Sequence, residues 1–284
     1  MRFWKVQAAG NDFILFDRRC EPEEDWAALA PRLCNRHTGV GSDGLLILLP
    51  SARADYRVRM FNPDGSEDFC GNGLRGVGRY LHAAGIFAGD TLSLETFSGE
   101  RRLRYLPRPG GAPEITVNMG APVWNAAAIP ARAPADPVIG VPLQVAGVEL
   151  TVTSLSTGTA HTVIFTEELP EDALFFAASP AIEHHPWFPE RTSVLWCRVE
   201  APDRLRLRIW ERGVGETLAC GTGVCAAAAA ARHHGLAGDS VRVFCPGGEF
   251  EVTREGEALW LRGPAEIVFS GTLAPALLRG ELAG

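Results

Sequence analysis

Residues 220–231 read CGTGVCAAAAAA: a cysteine, a threonine between two glycines, a second cysteine, then six alanines. Alanine is the best helix former and glycine among the worst. The stretch therefore predicts a tight turn that opens a helix, with Cys220 at its mouth. Unpaired N–H groups and the helix dipole favour a thiolate at that place, so the expectation is a reactive sulfur with a pKa drawn toward neutrality. Taken alone, the stretch reads first as a packing thiol, since free cysteine is commonly buried. What changes that reading lies elsewhere in the chain.

The sequence says the same thing twice. DYRVRMF (55–61) and RLRLRIW (204–210) both alternate polar and apolar residues like half-buried strands. NPDGSEDFCGNG follows the first and ERGVGETLACGTG the second, so both turn-rich loops end in Cys-Gly-x-Gly, at Cys70 and Cys220. A helical segment comes next in each case, LRGVGRYLHAAG or VCAAAAAARHHG, and each ends at glycine, a favoured stop. GDTLSLETFSGE (89–100) and GDSVRVFCPGGE (238–249) then read as strand, turn, strand. AGNDFILF (9–16) stands beside TGTAHTVIF (157–165) in the same way. Such matches in one order, at offsets of about 150 residues, predict an internal repeat. The fold expected is α+β: two related halves, each with a sheet and a central helix. Further helices are expected within 24–37 and 171–185, and the Pro/Gly/Ala-rich stretch 107–142 is the candidate inter-domain segment. The halves are placed at 1–120 and 121–264, with the tail 265–284 expected to return to the first.

Bulk properties exclude several classes. The 284 residues carry a formal charge of −7, which is no nucleic-acid footprint. No apolar run is long enough to span a membrane, and the start lacks the apolar core of a signal peptide. A cytoplasmic protein is the expectation. Seven scattered cysteines read as thiols, and with no CxxC pair no metal site is expected. Cys20, Cys34, Cys197, Cys225 and Cys245 are expected to be packing thiols. Neither a GxGxxG after a strand nor a GxxxxGK[ST] occurs, so no cofactor is expected.

If the halves pack with two-fold symmetry, both helix N-termini point into one cleft. Backbone N–H groups of Gly71, Asn72, Gly221 and Thr222 would hold a carboxylate there. Its α-carbon would lie between two sulfurs. One thiolate then removes the α-proton and the opposite thiol returns one to the other face, which inverts the centre.

The blocks AGNDFILFD, RHTGVGSDGLLIL, FNPDGSEDFCGNG, ERGVGETLACGTG and CPGGEFEV resemble the signature blocks of the diaminopimelate epimerase family. The resemblance runs from Asn11 to about residue 265, nearly the whole chain. It implies two pseudo-symmetric duplicated domains, each a barrel-like, mostly antiparallel sheet around a central helix. It further implies two-base inversion without pyridoxal phosphate, an amino-acid substrate and a homodimer. By resemblance Cys70 and Cys220 are the catalytic thiols. Gly71–Asn72 and Gly221–Thr222 are the donors to the α-carboxylate. Glu211 holds the substrate amino group and assists proton transfer, and His161 assists at the cleft. Asn11, Asn62 and Arg212 bind substrate.

Three departures bear on the substrate's far end. The family's Gly-Asn-Pro-His reads Gly158-Thr159-Ala160-His161 here, Ser193 replaces an asparagine beyond Phe188-Pro189, and the loop from Asn62 to Cys70 is one residue shorter. Thr159 and Ser193 shorten the reach and remove an amide donor. The substrate favoured is diaminopimelate, inverted between the LL and meso forms. The alternatives are a racemase for another amino acid, basic or aromatic such as histidine, and a thiol redox-sensing binding protein.

Overall fold

The computed structural model describes residues 1–108 and 110–279. Two compact units emerge, one from residues up to Asn118 with the stretch from Gly263 onward, the other from Met119–Arg262. Of the tail expected to return to the first half, residues 280–284 lie outside the described residues.

The first unit comprises β1 (Arg2–Ala8), β2 (Asn11–Asp17), α1 (Trp26–Cys34), β3 (Gly44–Leu49), β4 (Tyr56–Phe61), β5 (Glu67–Asp68), α2 (Gly71–Ala83), β6 (Thr91–Thr96), β7 (Gly99–Leu106) and β8 (Glu114–Gly120). The second comprises β9 (Val141–Val145), β10 (Val148–Ser156), β11 (Ala160–Thr166), α3 (Asp172–Glu183), β12 (Ser193–Ala201), β13 (Arg204–Glu211), β14 (Gly215–Thr217), α4 (Gly221–His233), β15 (Ser240–Cys245), β16 (Gly248–Glu255) and β17 (Ala258–Gly263). Then β18 (Glu266–Thr272) and α5 (Pro275–Arg279) belong to the first unit again. The boundary between the units, at Asn118 and Met119, falls within the candidate inter-domain stretch 107–142, and β8 runs through that stretch. Among the described residues its prolines lie in the segments on either side of that strand, and Gly120 ends it.

The sheet of the first unit runs β18-β1-β2-β3-β4-β6-β7-β8, with β5 as a short second partner of β4. That of the second runs β9-β10-β11-β12-β13-β15-β16-β17, with β14 on β13. The two orders are the same. In both, two pairs are parallel, β2–β3 with β4–β6 and β11–β12 with β13–β15, and the other pairs are antiparallel. Each first parallel pair is joined through a helix, α1 or α3, as a crossover requires. One difference stands out. The strand beside β10 is its chain neighbour β9, whereas the strand beside β1 is β18, which follows the second unit in the sequence.

Alternation along the inner strands builds two layers. In β12, Val194 and Trp196 join Phe175, Ala178 and Ile182 of α3 in one cluster, while Leu195 points the other way, toward Gly223 of α4. In β3, Leu45, Ile47 and Leu49 join Trp26, Leu29 and Leu33 of α1, and Leu46 turns to Gly73 of α2. Strands covered on both faces read as continuous apolar runs, which is why GLLILL shows no alternation in sequence.

The central helices are slender because the sheet curls around them. α4 packs against β10, β11, β12, β13, β15 and β16, and every residue from Gly221 to Ala231 is buried. α2 packs against β1, β2, β3 and β18, and a methyl group at Gly78 would come 2.9 Å from Leu103 of β7. Both helices close with the same device. Gly85 and Gly235 take positive φ (65° and 70°), Ile86 N–H bonds Leu81 O at 3.0 Å, and Leu236 N–H bonds Ala231 O at 2.8 Å. That is the six-to-one bond of a glycine-terminated helix.

Of the five expected packing thiols, Cys34, Cys197 and Cys225 are buried and Cys245 is half-buried. Cys20 differs: it is exposed, in the turn after β2, where no apolar layer covers the chain. No helix among the described residues is long and apolar enough to cross a membrane.

Candidate active site

Cys70 and Cys220 occupy equivalent places. Each is the residue that caps its central helix, with extended backbone (φ −140°, ψ 110° and φ −132°, ψ 112°). Each sulfur accepts the N–H of the third helical residue, Gly73 at 3.5 Å and Gly223 at 3.4 Å. The sulfur thus does what a serine or aspartate oxygen does at other helix starts. N–H groups of the first turn have no intrahelical acceptor, and Gly71–Asn72 and Gly221–Thr222 open that turn in the two units.

The repeat also aligns the residues around each thiol. Phe13 pairs with Gly44 across the first parallel pair, as His161 pairs with Ser193 across the second. This makes Asn11 the counterpart of Thr159, and each reaches toward the residue two beyond the cysteine. Asn11 Oδ1 accepts from Asn72 Nδ2 at 3.4 Å and lies 3.6 Å from Cys70 Sγ. Thr159 Oγ1 lies 3.5 Å from Thr222 Oγ1, which is 3.4 Å from Cys220 Sγ. Tyr56 and Leu205 likewise correspond, through the pairs Tyr56–Leu94 and Leu205–Val243. Asn62 and Glu211 are then counterparts at the end of β4 and β13. The frame is duplicated, but its chemistry has diverged.

In the first unit the polar groups form a chain behind Cys70. Asn11 Nδ2 donates to Asp43 at 2.7 Å, and Arg36 binds both Asp43 and Asp12 at 2.7 Å. Asp12 is also paired with Lys5, a buried residue. Asn62 does not join this group: its amide donates to Ser66 Oγ at 3.0 Å, within its own loop. Sequence reasoning missed Lys5, Arg36 and Asp43 as functional neighbours. RHTGVGSDG held two of them, but nothing local shows that Asp43 turns to Asn11.

In the second unit the expected residues converge more closely. Thr217 Oγ1 donates to Glu211 Oε1 at 2.6 Å, and the Cys220 thiol is hydrogen-bonded to the same carboxylate. The Cys220 pKa is a correction to the sequence reading. Burial, and then the Glu211 charge, push it well above its ordinary value. The Thr222 hydroxyl and the Gly223 N–H pull the other way and lose. A helix N-terminus supplies a fraction of a charge, which does not outweigh full desolvation. Cys220 therefore rests as a thiol with a carboxylate beside it.

His161 is fully buried, with Nε2 3.0 Å from Thr159 Oγ1 and no hydrogen-bond partner for Nδ1 among the described residues. Burial, helped by the Arg212 charge, drives its pKa down from 6.5 to about 3, so the ring is neutral at pH 7. The sign follows from linkage. Below pH 6.5 the unfolded chain takes up a proton that the folded chain refuses, so stability falls as pH falls. The expected slope is about 1.4 kcal/mol per pH unit between pH 6.5 and about 3. Denaturant midpoints at pH 7 and pH 5 measure it, and His161→Gln is expected to flatten that difference.

Ser193 is buried, and its hydroxyl accepts the Arg212 N–H at 3.1 Å. The Arg212 guanidinium donates to Glu190 O at 3.1 Å. Ser193 thus acts on the backbone that carries Arg212. Among the described residues no three His, Cys, Asp or Glu side chains cluster as metal ligands.

Two solved structures share this frame. A probable proline racemase from Agrobacterium radiobacter matches 97% of this chain and 95% of its own, with a TM-score of 0.72 at 16% identity. A PhzF-family phenazine biosynthesis protein from Bacillus anthracis matches 96% and 99%, with a TM-score of 0.68 at 19% identity. The class is thereby defined as a fold, the duplicated α+β frame in which each unit wraps one helix. Sequence comparison narrows it. The family model for diaminopimelate epimerase matches residues 3–125 and 153–268. The diaminopimelate epimerase of Pelotomaculum thermopropionicum is 43% identical over 95% of this chain and 98% of its own. That of a Synechococcus strain is 44% identical over 96% and 98%. The chain belongs to the diaminopimelate epimerase family and is an isomerase.

Proposed function

We propose that the protein inverts the α-carbon of diaminopimelate between its LL and meso forms, a step toward lysine, with Cys70 and Cys220 as the two acid–base groups. The observation that carries this is the repeated thiol cap, one cysteine at the same place in each unit. Inversion requires each unit to bring its thiol to one face of the same α-carbon. One sulfur takes the α-proton, the electron pair of the broken C–H bond spreads into the carboxylate, and the other sulfur delivers its proton to the opposite face. The first-turn N–H groups of α2 and α4 hold that carboxylate and stabilise the charge that develops on it. Because Cys220 rests as a thiol, it is the donor in one direction. In the other direction its proton passes to Glu211, which also binds the substrate amino group.

His161, neutral and buried, accepts or donates a hydrogen bond without adding charge. Asn11 orients Asn72, Thr159 stands beside Thr222, and Asn62 and Arg212 take the far end of the substrate. Ser193 contributes by holding the Arg212 backbone. Support for diaminopimelate over another amino acid comes from relatives of that name at more than 40% identity along nearly the whole chain. A cytoplasmic homodimer belongs to the same proposal.

Incubation of the reduced protein with LL-diaminopimelate in deuterated water is expected to place deuterium at Cα and yield the meso form. Exchange with another amino acid, and none with diaminopimelate, would overturn the substrate.

A further inference from the structure

The turn that presents Glu211 and Arg212 rests on a buried carboxylate that the proposed chemistry does not use. Glu183, the last residue of α3, is 3% exposed. Its Oε2 accepts Trp210 Nε1 at 2.7 Å, and its Oε1 accepts the Gly213 backbone N–H at 2.8 Å. Arg191 Nη1 approaches the same Oε1 at 3.3 Å and balances the charge. Trp210 and Gly213 are the residues immediately before and after the Glu211–Arg212 pair. One carboxylate therefore grips both shoulders of that turn. Gly213 takes φ +77°, which glycine adopts without a steric penalty, so the N–H it offers Glu183 is set by the turn itself.

The other unit provides an internal comparison. α1 and α3 correspond, since each carries a proline three residues before its last residue: Pro31 before Cys34, Pro180 before Glu183. The counterpart of Glu183 is thus Cys34, a thiol in the apolar layer under β3. The loop after β4 is held by its own side chains instead, with Asp64 accepting from Ser66 N and Oγ at 2.9 and 2.6 Å. Of these two corresponding helix ends, the one that carries a buried carboxylate belongs to the unit whose turn presents Glu211. Burying one is costly unless it is paired and hydrogen-bonded, so its presence at this place calls for a use.

We propose that Glu183 is a positioning residue that fixes the Glu211–Arg212 turn and so holds the Glu211 carboxylate against the Cys220 thiol. This rests on the roles given above to Glu211 and Cys220. Glu183→Gln is the informative variant, since it keeps the volume but turns an N–H group toward one of the two donors. Glu183→Ala serves as the harsher variant. Two readouts are taken on folded protein: kcat and KM for diaminopimelate, and the pH dependence of Cys220 alkylation by iodoacetamide, followed on its own peptide by mass spectrometry.

Glu183→Gln is expected to lower kcat about 10-fold, within what small misplacement does to a reacting pair. The midpoint of Cys220 alkylation is expected to move down by about 1 pH unit as the Glu211 charge withdraws. In a Glu211→Gln background, Glu183→Gln should move that midpoint no further. A merely structural role would reduce the amount of folded enzyme and leave the midpoint in place. An unchanged midpoint, whatever happens to kcat, overturns the proposal. Alkylation needs no substrate, so a protein that fails to turn over diaminopimelate but shows the shifted midpoint refutes the substrate and retains the positioning role.

Discussion

With Cys70 or Cys220 replaced by alanine, net inversion is expected to fall by about 10²–10⁴-fold, the usual contribution of a positioned acid–base group. Each thiol serves one face of the substrate, so neither replaces the other. The alanine variants also lose the cap bond to Gly73 or Gly223, which costs about 1 kcal/mol of stability in typical helices. Serine separates the two effects. A hydroxyl caps the helix at least as well as a thiol but gives up its proton far less readily. Cys70→Ser and Cys220→Ser are expected to keep the unfolding midpoint and lose the inversion. Full turnover by either alanine variant would refute the two-base mechanism.

Glu211→Gln is expected to move two observables in opposite directions. Turnover should drop by about 10²-fold, since the proposed mechanism has Glu211 receive the Cys220 proton and bind the amino group. Alkylation of Cys220 should become easier, with its midpoint moving to lower pH, because one of the two causes that hold the thiol protonated is removed. Burial is the first cause and persists, so the midpoint stays above that of a free cysteine. A variant that lost turnover through general disorder would also expose Cys220, and its midpoint would then fall to the free-cysteine value. A midpoint that does not move would show that the Glu211 charge does not act on this sulfur.

Much of this frame was legible because the repeat is written in local signals: glycine turns, alternating strands and a cysteine before each helix. The central position of α4 was foreshadowed by its alanines, which leave room for a sheet on all sides. Long-range choices were not legible. Nothing in GLLILL says that Leu46 faces one helix and Leu45 the other. The thiol of Cys220 was expected near neutrality from its helix end, yet its pKa is decided by burial contributed by residues far away in sequence. Setting AGNDFILF beside TGTAHTVIF already places Thr159 opposite Asn11, but what each touches next to its cysteine comes from the structure. Glu183 sits in a stretch, AIEHH, that reads as an ordinary helix end; its partners Trp210 and Gly213 lie on another strand and turn.

The placement of β18 beside β1 bears on how the chain matures as it leaves the ribosome. Residues 119–262 contain every strand of their own sheet, with β9 emerging just ahead of the β10 it joins. The earlier-made unit must wait, since β1 has no outer neighbour until residues 266–272 appear. An unpaired strand edge invites mispairing, and here it stays open while the whole second unit is synthesised. The part translated later is thus the first able to finish its sheet, and β1 is among the last strands to gain its second neighbour.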